Sequence, residues 1–401
     1  MDRPLRFGDT MKRILRFLVL ASVAALFTAG CRSGDTESPV TDLNPVSREA
    51  VVEHYADLAY LKYQDALTAA ELLQSAIHAF LIRPTHDSLK HAKIAWQDAR
   101  IPYAQTEVFR FYGGPIDDHE SLIMGWPVDT DYIDSKPDAT QSGILQEVEK
   151  YPEISKSMLL SLHLQREPEQ MIIGYHVIEF LLWGEDTSVE SPGQRPYTDY
   201  TTEIYADRRG LYLQAAADVL VDELVKLVEA WSPGQPENYR AQFLSQSSEE
   251  SLAAIFTGLI EFSGRELAVD HMTRAYETQN QKYEESRFSD HTDIDIIENI
   301  RGVQNIFLGR YKRFERGEVA GASIASLIAG IDPELAQVIT KQLEQTITTV
   351  KLIPPPFDHT IIGSDSFEGR KQILSAIELL EFQAETLTEA ATALGLDISS
   401  P

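Results

Sequence analysis

The sequence contains little cysteine and few basic residues for its length. Its 401 residues include one cysteine, Cys31, so the chain can form no internal disulfide. Lys and Arg number 35 against 62 Asp and Glu, which gives a formal net charge of −27 at pH 7. A surface with this charge repels nucleic-acid phosphates and anionic lipid headgroups, so we exclude nucleic acid as a partner.

Long apolar runs are also rare, and the clearest one lies near the amino terminus. This run, Phe17–Phe27, follows the basic residues Lys12, Arg13 and Arg16. It is too short to span a bilayer as a mature helix, which requires about 20 residues. A basic segment followed by a short apolar segment is typical of a signal peptide, which we predict over residues 1–30.

The single cysteine directly follows this segment. Cys31 comes after Thr28, Ala29 and Gly30, a pattern that resembles the bacterial lipoprotein box, although Thr28 stands where that box usually has Leu. We therefore predict that residues 31–46 comprise a lipidated Cys31 and a polar, proline-containing tether. The alternative is a plain secretory signal with an incidental cysteine.

Apolar residues recur at the period of an amphipathic helix through most of the chain. They do so from Val51 to Phe80, and again from Leu89 to Tyr103, with Pro102 inside the second pattern. Further helical segments are predicted at 157–166, 168–183, 206–231, 249–281, 293–313, 333–351 and 367–394, with irregular connections at 112–141, 184–205 and 352–366. Sustained apolar/polar alternation is lacking, so the fold class is predicted to be all-α, beginning near Ser47.

The length favours two domains or one duplicated unit. We place a first helical bundle domain at residues 47–230 and a second at 231–401. The segments 172–184 and 255–264 both carry Ile-Glu-Phe in an apolar helix, and aligning Glu261 with Glu179 places Gly258 where His176 stands. Such a short match fits both internal duplication and chance.

A histidine and a glutamate stand three residues apart in the apolar segment 172–184. Residues at this spacing share one face of a helix, so His176 and Glu179 can direct their side chains to one point. Gly174, which weakens a helix, lies in the same segment and would let another backbone or a ligand come close. A functional pair and a satisfied polar contact in the core both fit this pattern.

The standard hydrolase signatures are incomplete. The zinc-peptidase pattern His-Glu-x-x-His begins at His119 and Glu120 but fails at Ile123, and the inverted pattern fails at Phe180. The nucleophile pattern Gly-x-Ser-x-Gly is also lacking. The sequence therefore identifies no catalytic residue.

The motif Gly-x-His-x-x-Glu, formed by Gly174, His176 and Glu179 and followed by Phe-Leu-Leu-Trp-Gly, resembles that of the imelysin-like proteins. This family includes proteins described as insulin-cleaving membrane protein and as iron-regulated protein A. The resemblance extends to WQDARIPYAQTEVFRFYGGPIDD (96–118), WPVDTDYID (126–134), GQRPYTDY (193–200), SRFSDHTDIDI (286–296) and GVQNIFLGRY (302–311).

The resemblance implies two helical bundle domains related by a pseudo-twofold axis, with the motif near their junction. It also implies a bacterial envelope protein linked to iron, in a family first described as metallopeptidases. The sequence departs from the family pattern before Phe288, where Glu284-Glu285-Ser286-Arg287 stands in place of Glu-His-Ser-Cys. Glu285 therefore occupies the place of a family histidine.

A metal site is predicted from these residues, with His176, Glu179 and Glu107 as ligands for iron or zinc. The residues predicted to line the same site are Gly174, Arg100, Tyr103, Arg265, Glu285, Asp290 and His291. Capping of the following helix is a sufficient explanation for Asp290.

Three functions fit these features. The first is a lipid-anchored, periplasm-facing protein that binds a metal ion or metal complex, with iron favoured, and presents it to an uptake partner protein. The second is a metallopeptidase of the imelysin type that uses a His/Glu metal site. The third is an acidic helical scaffold for an envelope partner, which would bind no metal.

Replacing Cys31 tests the lipid anchor. Cys31→Ser removes the thiol that would be acylated, so we expect the variant to leave the membrane fraction when cells are fractionated. Mass spectrometry of the parent chain should show the acyl groups on the same cysteine. Retention in the membrane fraction without acylation would contradict the prediction.

Overall fold

The computed structural model of the chain describes residues 46–135, 142–163, 165 and 171–398. The predicted signal peptide, Cys31 and the tether as far as residue 45 lie outside the described residues. In the part of the chain that the structure describes, no helix combines the length and the apolar character needed to cross a membrane.

The fold is all-α, as the sequence predicts, with one small hairpin among the described residues. The α-helices are α1 (Arg48–Ile82), α2 (His86–Ala104), α3 (Pro115–Ile123), α4 (Thr130–Ile133), α5 (Lys156–His163), α6 (Tyr175–Trp183), α7 (Ala206–Trp231), α8 (Tyr239–Ser245), α9 (Ser248–Glu261), α10 (Arg274–Thr278), α11 (Thr292–Leu308), α12 (Ile324–Ala329), α13 (Pro333–Val350), α14 (Phe357–Ile361) and α15 (Glu368–Ala393). Short 3₁₀ helices span Glu107–Phe109, Tyr197–Tyr200 and Gln281–Tyr283, and a π-helix spans Phe262–Thr273.

Helix α1 starts and ends where the sequence predicts. The Ser47 side chain caps it by accepting a hydrogen bond from the Ala50 amide at 3.1 Å, which satisfies one of the free N–H groups of the first turn. Its buried face, which includes Tyr63 and Phe80, packs against α2 and α7. The helix ends at Ile82, before Pro84.

Helix α2 lies at the centre of the fold and packs against α1, α6 and α11. Pro102 lies inside it, as predicted, and the helix ends two residues later at Ala104. The backbone then tightens into the 3₁₀ helix Glu107–Phe109, with the Thr106 hydroxyl donating to the Tyr103 carbonyl at 2.7 Å. This turn places Glu107 beside the end of α2.

The structure corrects the predicted bounds around α11. The predicted helical segment 293–313 ends at Leu308, because Gly309 adopts a φ of +60° that terminates the helix. The chain then forms a two-stranded antiparallel sheet from β1 (Arg310–Lys312) and β2 (Glu318–Ala320). Helices α3, α4 and α14 also fall within segments predicted to be irregular.

The predicted helical segment 249–281 is helical but not uniformly α. Helix α9 is followed by the π-helix Phe262–Thr273 and then by α10. A π-helix closes its hydrogen bonds from residue i to i+5, so side chains five residues apart share a face. Amphipathic spacing does not reveal this change of winding.

The buried apolar side chains form two clusters. The larger cluster contains residues from before and after the predicted domain boundary at 230. The smaller cluster contains residues of the π-helix, α11, α13 and α15, such as Leu267, Ile296 and Ile373. Division into domains at 47–230 and 231–401 stays a prediction, as does the pseudo-twofold.

Gly174 lies outside the helix in which the sequence places it. Residues 168–170 of the predicted helix 168–183 lie outside the described residues, and helix α6 begins at Tyr175, because Gly174 has a φ of +111°, a conformation that L side chains rarely adopt. The expected close approach is present: a Cβ at Gly174 would lie 2.7 Å from the Gly125 amide nitrogen. The glycine therefore permits contact between two backbone segments.

Gly174→Ala should lower the free energy of unfolding, because it adds both backbone strain and a backbone clash. Gly363 is a matched control, since its φ is +118° and a Cβ there would meet nothing within 4 Å. Each variant should incur strain of about 1–3 kcal/mol, and Gly174→Ala should lose about 2 kcal/mol more in urea unfolding. Equal losses would contradict the packing argument.

Candidate functional site

The histidine and glutamate of the Gly-x-His-x-x-Glu motif lie in helix α6, whose residues are all buried, and the glycine directly precedes it. The helix packs between α2 and α7. His176 and Glu179 are both 0% exposed, and the His176 Nδ1 and Glu179 Oε2 atoms are 2.8 Å apart. The three-residue spacing therefore places the two side chains on one face in direct contact.

Both oxygens of Glu179 have hydrogen-bond partners. Oε2 contacts His176, and Oε1 accepts from the Phe288 amide at 2.9 Å, the Ser289 amide at 2.8 Å and the Ser289 hydroxyl at 2.7 Å. Burial raises the pKa of Glu179 to about 8, although the Ser289 hydrogen bonds lower it. Glu179 thus holds the segment before α11 and orients His176.

His176 retains one ring nitrogen without a protein partner. Within the described residues, its buried Nε2 atom has no hydrogen-bond partner. Burial, and secondarily the charge of Arg100, lowers the pKa of His176 to about 3, so the imidazole is neutral at physiological pH. A histidine fixed at one nitrogen by a carboxylate is the usual arrangement for a metal ligand that binds through the other.

Arg100 on α2 is the central cation of this region and is 0% exposed. Its Nε donates to Asp295 Oδ1 at 3.0 Å and its Nη2 donates to Glu285 Oε1. Nη2 also lies 3.8 Å from Glu107 Oε1. Among the residues with described positions, Nη1 has no partner, so one guanidinium nitrogen is left to donate to a ligand or water.

Glu285 connects Arg100 to the π-helix. Its Oε2 lies 2.8 Å from His271 Nδ1 and accepts from the Asn299 amide at 3.3 Å. Because the π-helix brings residues i and i+5 together, His271 Nε2 lies 3.5 Å from Glu266 Oε1. Burial lowers the pKa of His271, but Glu285 and Glu266 raise it by more, so this imidazole is held protonated.

Glu107 is fully buried without a hydrogen bond to either oxygen from the part of the chain that the structure describes. Its nearest cations are Arg100 and Arg110, whose Nη1 lies 3.5 Å from Glu107 Oε2. Burial and the nearby Glu285 charge raise the pKa of Glu107. The neighbouring Tyr103 hydroxyl, also buried, has no partner in the described ranges either.

The structure brings most of the predicted site residues together around α2, α6 and α11. His291 joins them, since its ring centroid is 5.8 Å from that of Trp96 and its Nδ1 is 3.6 Å from Asp295 Oδ2. Burial lowers the pKa of His291, but Asp295 raises it by more.

Arg265 faces away from this region. It is 56% exposed and pairs with Glu261 at 3.2 Å. Glu261, which aligns with Glu179 in the second Ile-Glu-Phe segment, is also partly exposed, and Gly258 packs against the Val108 backbone. The segment 255–264 therefore does not repeat the buried polar pair of His176 and Glu179.

Asp290 does not cap the following helix, contrary to the prediction. His291 occupies the N-cap position of α11, and Asp290 adopts a φ of +56°. Its carboxylate instead lies with those of Asp186 and Asp358, with ligand oxygens all within 4.8 Å of one another. This acidic group is the one cluster of potential metal ligands found among the described residues, and it includes none of His176, Glu179 and Glu107.

His271, Asn299 and Asp295 belong to the site but are not among the predicted residues. Asp295 lies in a segment that carries the family resemblance, so that segment was a usable signal. The sequence gives no signal for His271, because its five-residue spacing from Glu266 brings the two side chains together only in a π-helix. Asn299 contributes through a side-chain hydrogen bond to Glu285, 14 residues earlier in the chain, which no local pattern predicts.

A network of polar residues extends the site toward α1. Lys62 donates to Gln105 Oε1 at 3.1 Å and lies 4.2 Å from the Tyr311 ring centroid. The same Gln105 oxygen accepts from Asn305 at 2.7 Å, and its amide donates to Glu298 at 2.7 Å. Burial lowers the pKa of Lys62 to about 7.

Comparison with known proteins identifies the family and the fold. The family model described as Imelysin matches residues 59–387. A protein named iron-regulated protein A from Synechococcus elongatus is 25% identical over 390 residues, covering 94% of this chain and 92% of the relative. A crystal structure described as an iron-regulated protein A precursor from Parabacteroides distasonis has a TM-score of 0.65 at 19% identity, covering 89% of this chain and 98% of that one.

Lys62→Met should stabilise the protein near pH 7, and the gain should shrink toward pH 10. Between pH values of about 7 and 10.5, Lys62 is protonated in the unfolded chain but has released its proton in the native state. The free energy of unfolding of the wild-type protein therefore rises with pH across this window. The slope is at most about 1.4 kcal/mol per pH unit. Urea unfolding at several pH values measures it.

The exposed Lys90 on α2 provides the control for this substitution. Lys90→Met removes the same charge from the surface and should leave the pH slope unchanged. Gln105 keeps its hydrogen bond from Asn305 when Lys62 is replaced, so the variant creates no new unpaired oxygen there. A stability difference for Lys62→Met that is constant with pH would refute the buried-charge explanation.

Proposed function

We propose that the chain, which belongs to the imelysin family, is a bacterial envelope lipoprotein that binds a metal ion or metal complex. Iron is the favoured cargo, which the protein would present to an uptake partner at the periplasmic side of the membrane. The names of its relatives support the link to iron, and the predicted signal peptide and Cys31 support the envelope location.

The observation that carries the proposal is the unpartnered Nε2 of His176. A buried polar atom that lacks a partner costs about 1–3 kcal/mol, so a ligand or water is needed there. When Glu179 is ionised, its carboxylate accepts the proton on Nδ1 of the neutral ring, which leaves the lone pair on Nε2 for a metal. This arrangement of ligand and supporting carboxylate suits iron or zinc.

The other unpartnered atoms near this region favour a metal complex over a bare ion. Arg100 Nη1 is a donor that no cation can satisfy, whereas Glu107 offers two oxygens that suit a cation. A cation accompanied by a carboxylate or hydroxide ligand would satisfy both kinds of atom. Tyr103 could donate to the same anionic ligand.

The geometry supports binding more than hydrolysis. A general base needs a carboxylate oxygen that can reach a water molecule, but both Glu179 oxygens already have close partners. Moving Glu179 would release the Phe288 and Ser289 amides that it holds. Of the two functions, metal binding therefore requires no rearrangement of these contacts.

Metal retention by His176→Ala tests the proposal. The full chain, purified from iron-replete cells, should carry iron, and the variant should lose most of it, as measured by elemental analysis. His86→Ala is the matched control, because His86 is highly exposed at the start of α2. Glu107→Gln should also reduce retention, since the amide removes one potential anionic ligand.

Two results would contradict this assignment. Equal iron content in the parent chain and His176→Ala would show that His176 does not bind the metal. If His176→Ala loses both its iron and its helical circular dichroism spectrum, the loss reflects unfolding. In that case a Glu107→Gln variant that stays folded and keeps its iron would exclude the site.

A further inference from the structure

A cavity of about 340 Å³ lies at the C-terminal end of α6. It is lined by residues 183–188, by residues 191–195 and by Asp199, and none of the proposed metal ligands is among them. Small-molecule sites enclose about 300–1,000 Å³, so this cavity has the size that suits a single small metabolite. Apart from Trp183, the lining residues all belong to the connection between α6 and α7.

Backbone hydrogen bonds hold the walls of the cavity together. The Arg195 amide donates to the Trp183 carbonyl at 2.8 Å, and the Gly193 amide donates to the Phe288 carbonyl at 2.9 Å. A Cβ at Gly193 would lie 2.6 Å from the Trp183 carbonyl oxygen, so the glycine lets the two stretches approach this closely. The cavity is therefore formed before a ligand binds, which lowers the entropic cost of binding.

Arg195 supplies a buried donor without a partner to this cavity. Its side chain is 7% exposed, and its Nε has no hydrogen-bond partner within the described residues. Its Nη1 donates to Asp134 at 3.2 Å and to Asp199 at 3.1 Å, which holds the guanidinium in place. Because a buried donor without a partner is costly, Nε requires an acceptor oxygen from a ligand or from water.

Gly184 makes room for Arg195 in the cavity wall. A Cβ at Gly184 would lie 3.3 Å from the Arg195 Cβ atom and 3.4 Å from its Nε, so a larger residue would press on the arginine. The guanidinium thus lies against a wall that has no side chain. A carboxylate is the acceptor that matches a guanidinium edge, because it accepts two parallel hydrogen bonds.

Asp186 gives the same cavity a negative charge. It is 6% exposed, and no basic side chain among the residues with described positions forms a salt bridge with it. Its oxygens accept from two neutral donors, the Ser188 amide at 2.9 Å and the Gln281 side chain at 2.6 Å. The other two lining carboxylates each lie within salt-bridge distance of an arginine. A buried carboxylate without a counter-charge favours a positively charged group on the ligand.

We propose that this cavity binds a small α-amino acid in its zwitterionic form. The carboxylate of the ligand accepts hydrogen bonds from Arg195, and its ammonium group donates to Asp186, so each charge of the ligand meets an opposite charge. A ligand that carries only one of these charges satisfies only one of the two residues. The site shares no residue with the proposed metal site, and the proposal does not depend on metal binding.

Thermal melting of the full-length protein in detergent, with each of the standard L-amino acids at about 10 mM, tests the site. At least one amino acid should raise the melting temperature, because it binds the native state. That amino acid is then compared by isothermal titration calorimetry with its amide, which lacks the carboxylate, and with its deaminated acid, which lacks the ammonium group. Each analogue should bind at least about tenfold more weakly, since it loses one charge-assisted contact.

Two substitutions test the residues themselves. Arg195→Lys keeps the positive charge but removes the Nε–H group, and Asp186→Asn removes the negative charge at nearly the same size. Each should weaken binding of the amino acid about tenfold. Arg83→Lys, at an exposed position directly after α1, is the matched control and should bind the amino acid like the parent chain. His176→Ala should also keep this affinity, even if it loses iron.

Circular dichroism establishes which variants keep their fold. The proposal is overturned if none of the amino acids raises the melting temperature, or if the amide and the deaminated acid bind as tightly as the amino acid itself. It is also overturned if folded Arg195→Lys and Asp186→Asn variants both bind the amino acid as tightly as Arg83→Lys does.

Discussion

Burial of the Arg100 guanidinium is the constraint on which the rest of the central structure depends. Removing an ion from water costs several kcal/mol, so the group is tolerated only with close counter-charges. Asp295 and Glu285 supply them from almost 200 residues further along the chain. Helix α2 is thereby fixed against α11 and the segment that precedes it.

The Glu179 contacts extend the same requirement to helix α6. Its carboxylate joins the motif helix to the Phe288 and Ser289 amides, immediately after the segment that carries Glu285. Two buried charged groups from earlier in the chain, Arg100 and Glu179, therefore hold the short segment 285–289. Because Glu179 also contacts His176, the chemistry of the motif depends on residues outside it.

The sequence was informative wherever local periodicity decided the structure. Helices α1 and α2 follow directly from apolar spacing, from Ser47 as a cap and from Pro84 as a terminator. The contact between His176 and Glu179 follows from the three-residue spacing. Winding that departs from the α-helix, such as the π-helix carrying His271, is hidden from such reasoning, because apolar spacing does not report the contacts that His271 makes with Glu266 and Glu285.

Glu284 and Glu285 are consecutive residues, and Glu284 has an extended backbone, in which successive side chains point to opposite faces. The Glu285 carboxylate contacts Arg100 and His271, whereas one oxygen of Glu284 has no hydrogen-bond partner among the described residues. The two neighbouring carboxyl groups therefore have different surroundings on the two faces of one short segment. If a ligand bound on one face alters the affinity for a ligand on the other, thermodynamic reciprocity requires the second ligand to alter the affinity for the first by the same factor.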